Sequence, residues 1–242
     1  MSASRQPHAI LDLPSRKNKA LKIERLLELS MQNKPIRILE IGTGSGGIAD
    51  YFASHPTLTC DVTAVDVVDQ RQIHGGYKFV CVKDTSLPFD DASFDVIISN
   101  HVIEHVGDEA QQKHHLSEIG RLLAPGAVAY LAYPNRWSII EPHYQLAFLS
   151  WLPVSMRSAY LRFFRQATHY DCRPLSYFES VRFFRDAAFS FQYLGTPALR
   201  LFRSIENRSG WLFWLIDRIP DRALDALRPI IPTLIFTLRR KN

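Results

Sequence analysis

The 242 residues are 46% hydrophobic and 22% charged, with 11 Gly, 14 Pro and 3 Cys. That composition excludes a largely disordered chain, and the length suffices for one core-bearing domain with an elaboration. Cys60, Cys81 and Cys172 are odd in number, widely spaced and free of any C-x-x-C pair, which excludes a disulfide framework and points to reduced thiols in a cytosolic protein.

The net charge of +5 conceals a split, because residues 1–150 sum to −3 and residues 151–242 to +8. Such asymmetry predicts that the C-terminal third faces an anionic surface or substrate, the plainer alternative being a solvated basic face. Residues 1–16 lack the apolar core of a secretory signal, and no stretch supplies the roughly 20 apolar residues of a spanning helix. The expected location is cytoplasmic, with a peripheral position on the inner face of a membrane as its extension.

In chain order, a helix over 19–31 precedes a strand over 37–41 and a helix over 46–54. Further strands are predicted over 60–67, 78–82, 94–99 and 127–133, with a helix over 109–123. Strand and helix alternation with runs apolar on both faces predicts a parallel α/β sheet. His114 and His115 are assigned to the polar, solvated face of the helix over 109–123. Residues 134–173, rich in aromatics, Pro and Arg, are expected as helices over the sheet edge. Ser176 and Glu179 have capping-box spacing for a helix reaching about Ala188. Strands over 189–194 and 233–238 are expected as an antiparallel pair separated by an amphipathic insertion, 196–232, containing Trp211 and Trp214.

The strongest motif is Leu39-Glu40-Ile41-Gly42-Thr43-Gly44-Ser45-Gly46-Gly47, at the junction of the first strand and its helix. Glycines there let backbone approach a ligand closely. Gly42, Gly44 and Gly47 satisfy G-x-G-x-x-G of dinucleotide sites, while Gly42, Gly44 and Gly46 satisfy G-x-G-x-G. Both patterns want an acid ending the second strand for ribose hydroxyls, where Asp66 stands. Glu40, beside the glycines, would repel a pyrophosphate and suit an ammonium. Asp84 with Thr85, the run Leu87-Pro88-Phe89 before Ser93-Phe94-Asp95, and Asn100-His101-Val102-Ile103-Glu104-His105 all fall at strand carboxyl ends.

This ordered set resembles the class I S-adenosylmethionine-dependent methyltransferases, in particular the type called methyltransferase type 11, over residues 36–134. The resemblance implies a Rossmann-like, seven-stranded, mostly parallel sheet with a C-terminal antiparallel hairpin, helices on both faces, and helical insertions after strands 5 and 6. The domain would comprise a lead-in (1–35), a cofactor core (36–134) and an acceptor side (135–242). S-adenosyl-L-methionine would be held by Glu40, Gly42, Thr43, Gly44, Gly46, Asp66, Val67, Asp84, Thr85, Asn100 and His101.

Tyr133-Pro134-Asn135-Arg136 and Glu104-His105 are similar to ubiquinone-pathway O-methyltransferases and to methyltransferases encoded with cell-envelope glycans. The implied acceptor is small, lipid-like, quinone-like or glycan-linked, methylated on oxygen, with Tyr133, Asn135 and Tyr144 beside it. His143 and His105 are the candidate general bases, since a neutral imidazole accepts a proton near neutral pH. His101, Glu104 and His105 read as H-x-x-E-H, a zinc-peptidase order, but that motif belongs on a helix and here follows a strand, so no metal is expected. Three rivals stay open: an NAD(P)-dependent oxidoreductase, a membrane-peripheral cofactor-binding protein without turnover, and a nucleic-acid methylase using the basic third. Nucleic acid is the disfavoured partner, because no Asn/Asp/Ser-Pro-Pro-aromatic follows the fourth strand. An anionic membrane surface reached through 196–232 is the favoured one.

Overall fold

The computed structural model of the chain describes residues 12–29, 34–206, 216 and 218–241. Helix α1 (Leu13–Leu27) begins earlier than the sequence predicts. Asp12 accepts the Ser15 N–H at 3.0 Å, proline occupies the first turn, and Glu28 in the left-handed region (φ 51°) ends the helix. Then follow β1 (Ile36–Ile41), α2 (Gly47–Ala53), β2 (Cys60–Asp66), β3 (Lys78–Cys81), β4 (Phe94–Asn100), α3 (Glu109–Leu122) and β5 (Leu123–Pro134). β5 starts earlier than expected because Leu123 pairs with Phe94 before a register break, which leaves Gly126 (φ +77°) inside the strand.

A short hairpin, β6 (Ile140–Glu141) and β7 (Leu146–Ala147), is not legible from the sequence. After it come α4 (Val154–Phe163), α5 (Tyr177–Asp186), β8 (Phe189–Tyr193), α6 (Gly195–Ile205), α7 (Asp221–Ala226) and β9 (Thr233–Arg240). α5 carries the expected capping box between Ser176 and Glu179. The seven-stranded sheet has the order β3-β2-β1-β4-β5-β9-β8. Its first five strands are parallel, and β9 runs antiparallel to both β5 and β8. The chain winds outward from β1 through β2 and β3, then returns to β4 on the other side. That reversal opens a crevice at the strands' carboxyl ends.

Alternation along β1 sorts its side chains between two cores. Ile36 and Ile38 pack with Ala20 and Ile23 of α1 and with Ile48 and Phe52 of α2. Leu39 and Ile41 join Leu116 and Ile119 of α3 and Phe183 and Phe184 of α5 on the other face. Glu40 therefore points toward α1 and α2.

The Leu87–Asp91 stretch is clamped from α3. Arg121 donates to the Leu87 and Phe89 carbonyls at 3.0 and 2.7 Å, and Glu118 accepts the Leu87 N–H at 2.9 Å. Residues 135–175 form an insertion with a small core of Leu149, Leu161, Tyr170 and Cys172. Buried Arg157 ties it together by donating to the Leu152 and Ser150 carbonyls at 2.8 and 2.9 Å. No helix among the described residues is long and apolar enough to cross a membrane. Trp211 and Trp214 lie outside the described residues.

Candidate active site

A cavity of about 510 Å³ opens at the carboxyl ends of β1 to β4 and is roofed by the insertion. Its floor is the turn after β1. Gly42 (φ +74°) and Gly44 (φ +55°) line it in a conformation that side chains resist, and a Cβ on Gly42 would lie 2.5 Å from Val102 Cγ2. The turn is fixed from behind. The Gly42 N–H donates to the Val65 carbonyl at 2.8 Å, and Glu40 Oε2 accepts the Thr43 hydroxyl at 2.7 Å and the Ala49 N–H at 3.0 Å. Burial pushes the Glu40 carboxyl up to about 8, against the pull of Thr43, Arg16 and Ala49.

Asp66 ends β2 in the cavity wall, its Oδ2 accepting the Gly44 N–H at 2.9 Å and its Oδ1 the Val67 N–H at 2.7 Å. Asp84, held by the Ser86 N–H at 2.8 Å, and Thr85 form the wall beyond β3. Asn100 ends β4, and its buried Nδ2 has no hydrogen-bond partner among the described residues. From α1, Arg16 and Lys19 bring cationic groups to the same wall, and burial pulls the Lys19 ammonium down to about 8.

The second half of the cavity is an imidazole cluster around one carboxylate. Glu104 is fully buried, with Oε1 at 3.3 Å from His101 Nδ1, 3.7 Å from His143 Nε2 and 4.0 Å from His105 Nε2. Burial pushes the Glu104 carboxyl up, but the three imidazoles more than offset it, so the net shift is downward. His143 shows the opposite balance. Burial lowers its pKa, while the Glu141 carboxylate 3.0 Å from Nδ1, and Glu104, raise it more. The His105 and His143 rings stand edge to face, 5.1 Å apart.

Among the residues singled out from sequence, Gly42, Gly44, Asp66, Val67, Asp84, Thr85, Asn100, His101, His105 and His143 meet in this one cavity wall. Glu40, Thr43 and Gly46 stand behind it, shaping the turn. Tyr133 is buried in the core, stacked on Phe236. Asn135 is spent on the chain, donating to the Pro229 carbonyl at 2.9 Å and accepting the Trp137 N–H at 3.1 Å. Tyr144 supports Asp171, its hydroxyl donating to Oδ1 at 3.2 Å, and Asp171 is the wall residue. His115 corrects the expectation of a solvated pair. It is buried in the wall beside Ser99, 3.0 Å from its hydroxyl, while His114 is exposed. Arg16, Lys19, His115 and Asp171 were missed. For His115 a signal existed, since it shares the i, i+4 stripe of Ile119 with buried Gln112 and Leu116.

A family model described as a methyltransferase domain matches residues 15–180. A Mycolicibacterium smegmatis protein named "Probable S-adenosylmethionine-dependent methyltransferase" is 34% identical over 102 residues, covering 41% of this chain and 38% of that one. The phthiotriol/phenolphthiotriol dimycocerosates methyltransferase of Mycobacterium leprae is 31% identical over 133 residues, covering 51% and 46%. The chain spans under half the length of these curated relatives. Among solved structures, the YcgJ protein of Bacillus subtilis superposes with a TM-score of 0.56 at 17% identity, covering 93% of this chain and 99% of that one.

The wall fits the cofactor of that family. Side-chain-free backbone at Gly42 and Gly44 leaves room for the amino-acid portion, and Arg16 and Lys19 suit its carboxylate. Asp66 suits the ribose diol, Asp84 the adenine edge, and the buried Asn100 Nδ2 awaits an acceptor. Glycine turn, ribose acid and sheet order thus agree with a family model that spans more than half of the sequence, and the chain belongs to the S-adenosylmethionine-dependent methyltransferase domain family.

Proposed function

We propose that this chain methylates a hydroxyl oxygen of a lipid-like acceptor, which enters the cavity between β4 and the insertion. The observation that carries the acceptor class is the apolar outer surface of the insertion. Ile139, Ile140, Phe148, Trp151, Val154 and Phe163 are all exposed on the segment that delivers His143 to the cavity. Clusters of large exposed apolar side chains mark contact with apolar partners. Exposed Arg162 and Arg165 flank Phe163, which suits an anionic membrane surface. The relative from Mycobacterium leprae is named for phthiotriol and phenolphthiotriol dimycocerosates, and that name supports the reading of a lipid-like acceptor here.

The sulfonium supplies an electrophilic methyl group: the acceptor oxygen forms the new O–C bond while the C–S bond breaks and its electron pair returns to sulfur. The protein must hold the hydroxyl in line and remove its proton. His105 is the imidazole for that proton, since it lines the cavity and its Nε2 lies 4.0 Å from the Glu104 carboxylate that would stabilise the imidazolium. Parallel calorimetric titrations with S-adenosylhomocysteine, NADH and NADPH test the cofactor. Label transfer from methyl-tritiated S-adenosylmethionine into organic-extractable product tests the acceptor. Binding of S-adenosylhomocysteine alone and extractable label are expected. Nicotinamide binding would overturn the first half, and label confined to water-soluble or nucleic-acid fractions the second.

A further inference from the structure

We propose that His101, Glu104 and His143 form a divalent-metal site on the acceptor side of the cavity, a reading that rests on the hydroxyl acceptor just described. His101 Nδ1 and His143 Nε2 lie 3.3 and 3.7 Å from Glu104 Oε1, and the three atoms fall within 4.8 Å of one another. Around a tetrahedral ion with N and O ligands at about 2.0–2.2 Å, neighbouring ligand atoms stand about 3.3–3.6 Å apart. The two pairs that include Glu104 stand at or near that spacing, and the two imidazole nitrogens lie within 4.8 Å of each other.

The hydrogen bonding points the same way. Buried Glu141 takes the Nδ1 side of His143 at 3.0 Å, which directs Nε2 at Glu104. Neither buried oxygen of Glu104 receives a well-aligned hydrogen bond among the described residues. A carboxylate behind a ligating imidazole, as Glu141 stands behind His143, is the usual support for a bound cation. His101 is held at φ +60°, a costly conformation for a residue with a Cβ, with its N–H tied to the Ala132 carbonyl at 2.7 Å.

Three ligands leave positions open, which is the pattern of a catalytic rather than a structural ion. His101 and His143 both line the cavity, so the open side faces the acceptor. Two imidazoles and one carboxylate favour zinc, manganese or iron over magnesium or calcium. An acceptor hydroxyl bound to the ion loses its proton more readily, and His105 takes that proton. The acceptor hydroxyl would fill the open fourth position, and a second oxygen next to it would fit a five-coordinate ion. The third ligand, His143, comes from the distant insertion, so no spacing rule on H-x-x-E-H reveals it.

The test is titration of the chelator-treated full chain with Co²⁺, followed by its visible spectrum, and with Zn²⁺ by competition. One equivalent is expected in the wild type. Dissociation constants should rise at least about 100-fold in Glu104→Gln and His143→Ala, and about 10–100-fold in Glu141→Gln, which perturbs only the support. Circular dichroism checks folding, and His101→Asn carries the test where Glu104→Gln fails to fold. Absence of stoichiometric metal in the wild type, or variants that bind as tightly as it does, would overturn the site. A wild type that binds S-adenosylhomocysteine but no metal sinks this inference alone. One that binds metal but no S-adenosylhomocysteine upholds it while the cofactor assignment fails.

Discussion

The Asp66 carboxylate accepts the Gly44 N–H at 2.9 Å, so the residue that ends β2 holds the glycine turn that ends β1. Its other oxygen accepts the Val67 N–H at 2.7 Å. One side chain thereby sets both the cavity floor and the wall beside it. Asp66→Asn keeps the shape, but its NH₂ must face one of these two amides, leaving a donor opposed to a donor. Such a loss costs about 1–3 kcal/mol. The expected outcome is S-adenosylhomocysteine binding weakened about 10–100-fold by calorimetry, with the melting temperature lowered by about 2–4 °C per kcal/mol lost.

Gly46 and Gly126 both hold positive φ, at +82° and +77°, but their surroundings differ. A Cβ on Gly46 would lie 2.8 Å from the Ile73 carbonyl and collide with the Tyr77 hydroxyl, whereas one on Gly126 meets nothing within 4 Å. Gly126→Ala should therefore cost only the backbone term, about 1–2 kcal/mol in urea unfolding. Gly46→Ala should cost more than Gly126→Ala and also abolish measurable S-adenosylhomocysteine binding, because the turn must shift. Equal destabilisation of the two variants would show that the Tyr77 and Ile73 contacts give way freely.

His115 makes stability depend on pH in a calculable direction. Burial pulls its pKa from 6.5 down to about 4, so the folded chain keeps it neutral while the unfolded chain protonates it below 6.5. The unfolded state then binds more protons between those values, and the stability present above pH 6.5 is lost as pH falls toward 4. From pH 7 to pH 5 this group contributes a loss of about 2 kcal/mol. His115→Gln should lose that much less over the same interval, measured as the difference between urea unfolding curves. Parallel pH profiles for variant and wild type would refute the assignment.

What the sequence revealed and what it hid divide along the range of the interactions. The cofactor half was legible because its groups sit within a few residues of strand ends, where Gly42, Gly44, Asp66 and Asp84 are placed by local pattern. Glu40 was read as a cofactor contact, yet strand alternation sends it under α1 and α2 with Ile36 and Ile38. The acceptor half was hidden, because His143 and Asp171 reach the cavity through an insertion whose path depends on the Arg157 clamp and a four-residue core. Arg16 and Lys19 were hidden for a similar reason. Arg16 shares the stripe of Ala20, Ile23 and Leu27, but nothing in that stripe says that α1 packs on α2 at the cavity.

The exposed apolar side chains at the two ends of α4 are where an association with membrane would be felt. Val154 and Phe163 are 75% and 80% exposed, and the packing of α4 against the protein runs through Arg157 and Leu161 instead. Both exposed side chains can therefore be changed without loosening the insertion. Burying such a side chain in the acyl boundary contributes about 1.5–3 kcal/mol, and each nearby arginine adds about 1 kcal/mol at an anionic surface. The double variant Val154→Ser, Phe163→Ser should sediment at least about tenfold less with phosphatidylglycerol vesicles while melting within a degree or two of wild type. Arg162→Ala should weaken binding mainly at low salt, because its contribution is screened. A wild type that ignores anionic vesicles at low salt would remove the membrane from the proposal. Binding unchanged in the double variant would move the contact away from α4.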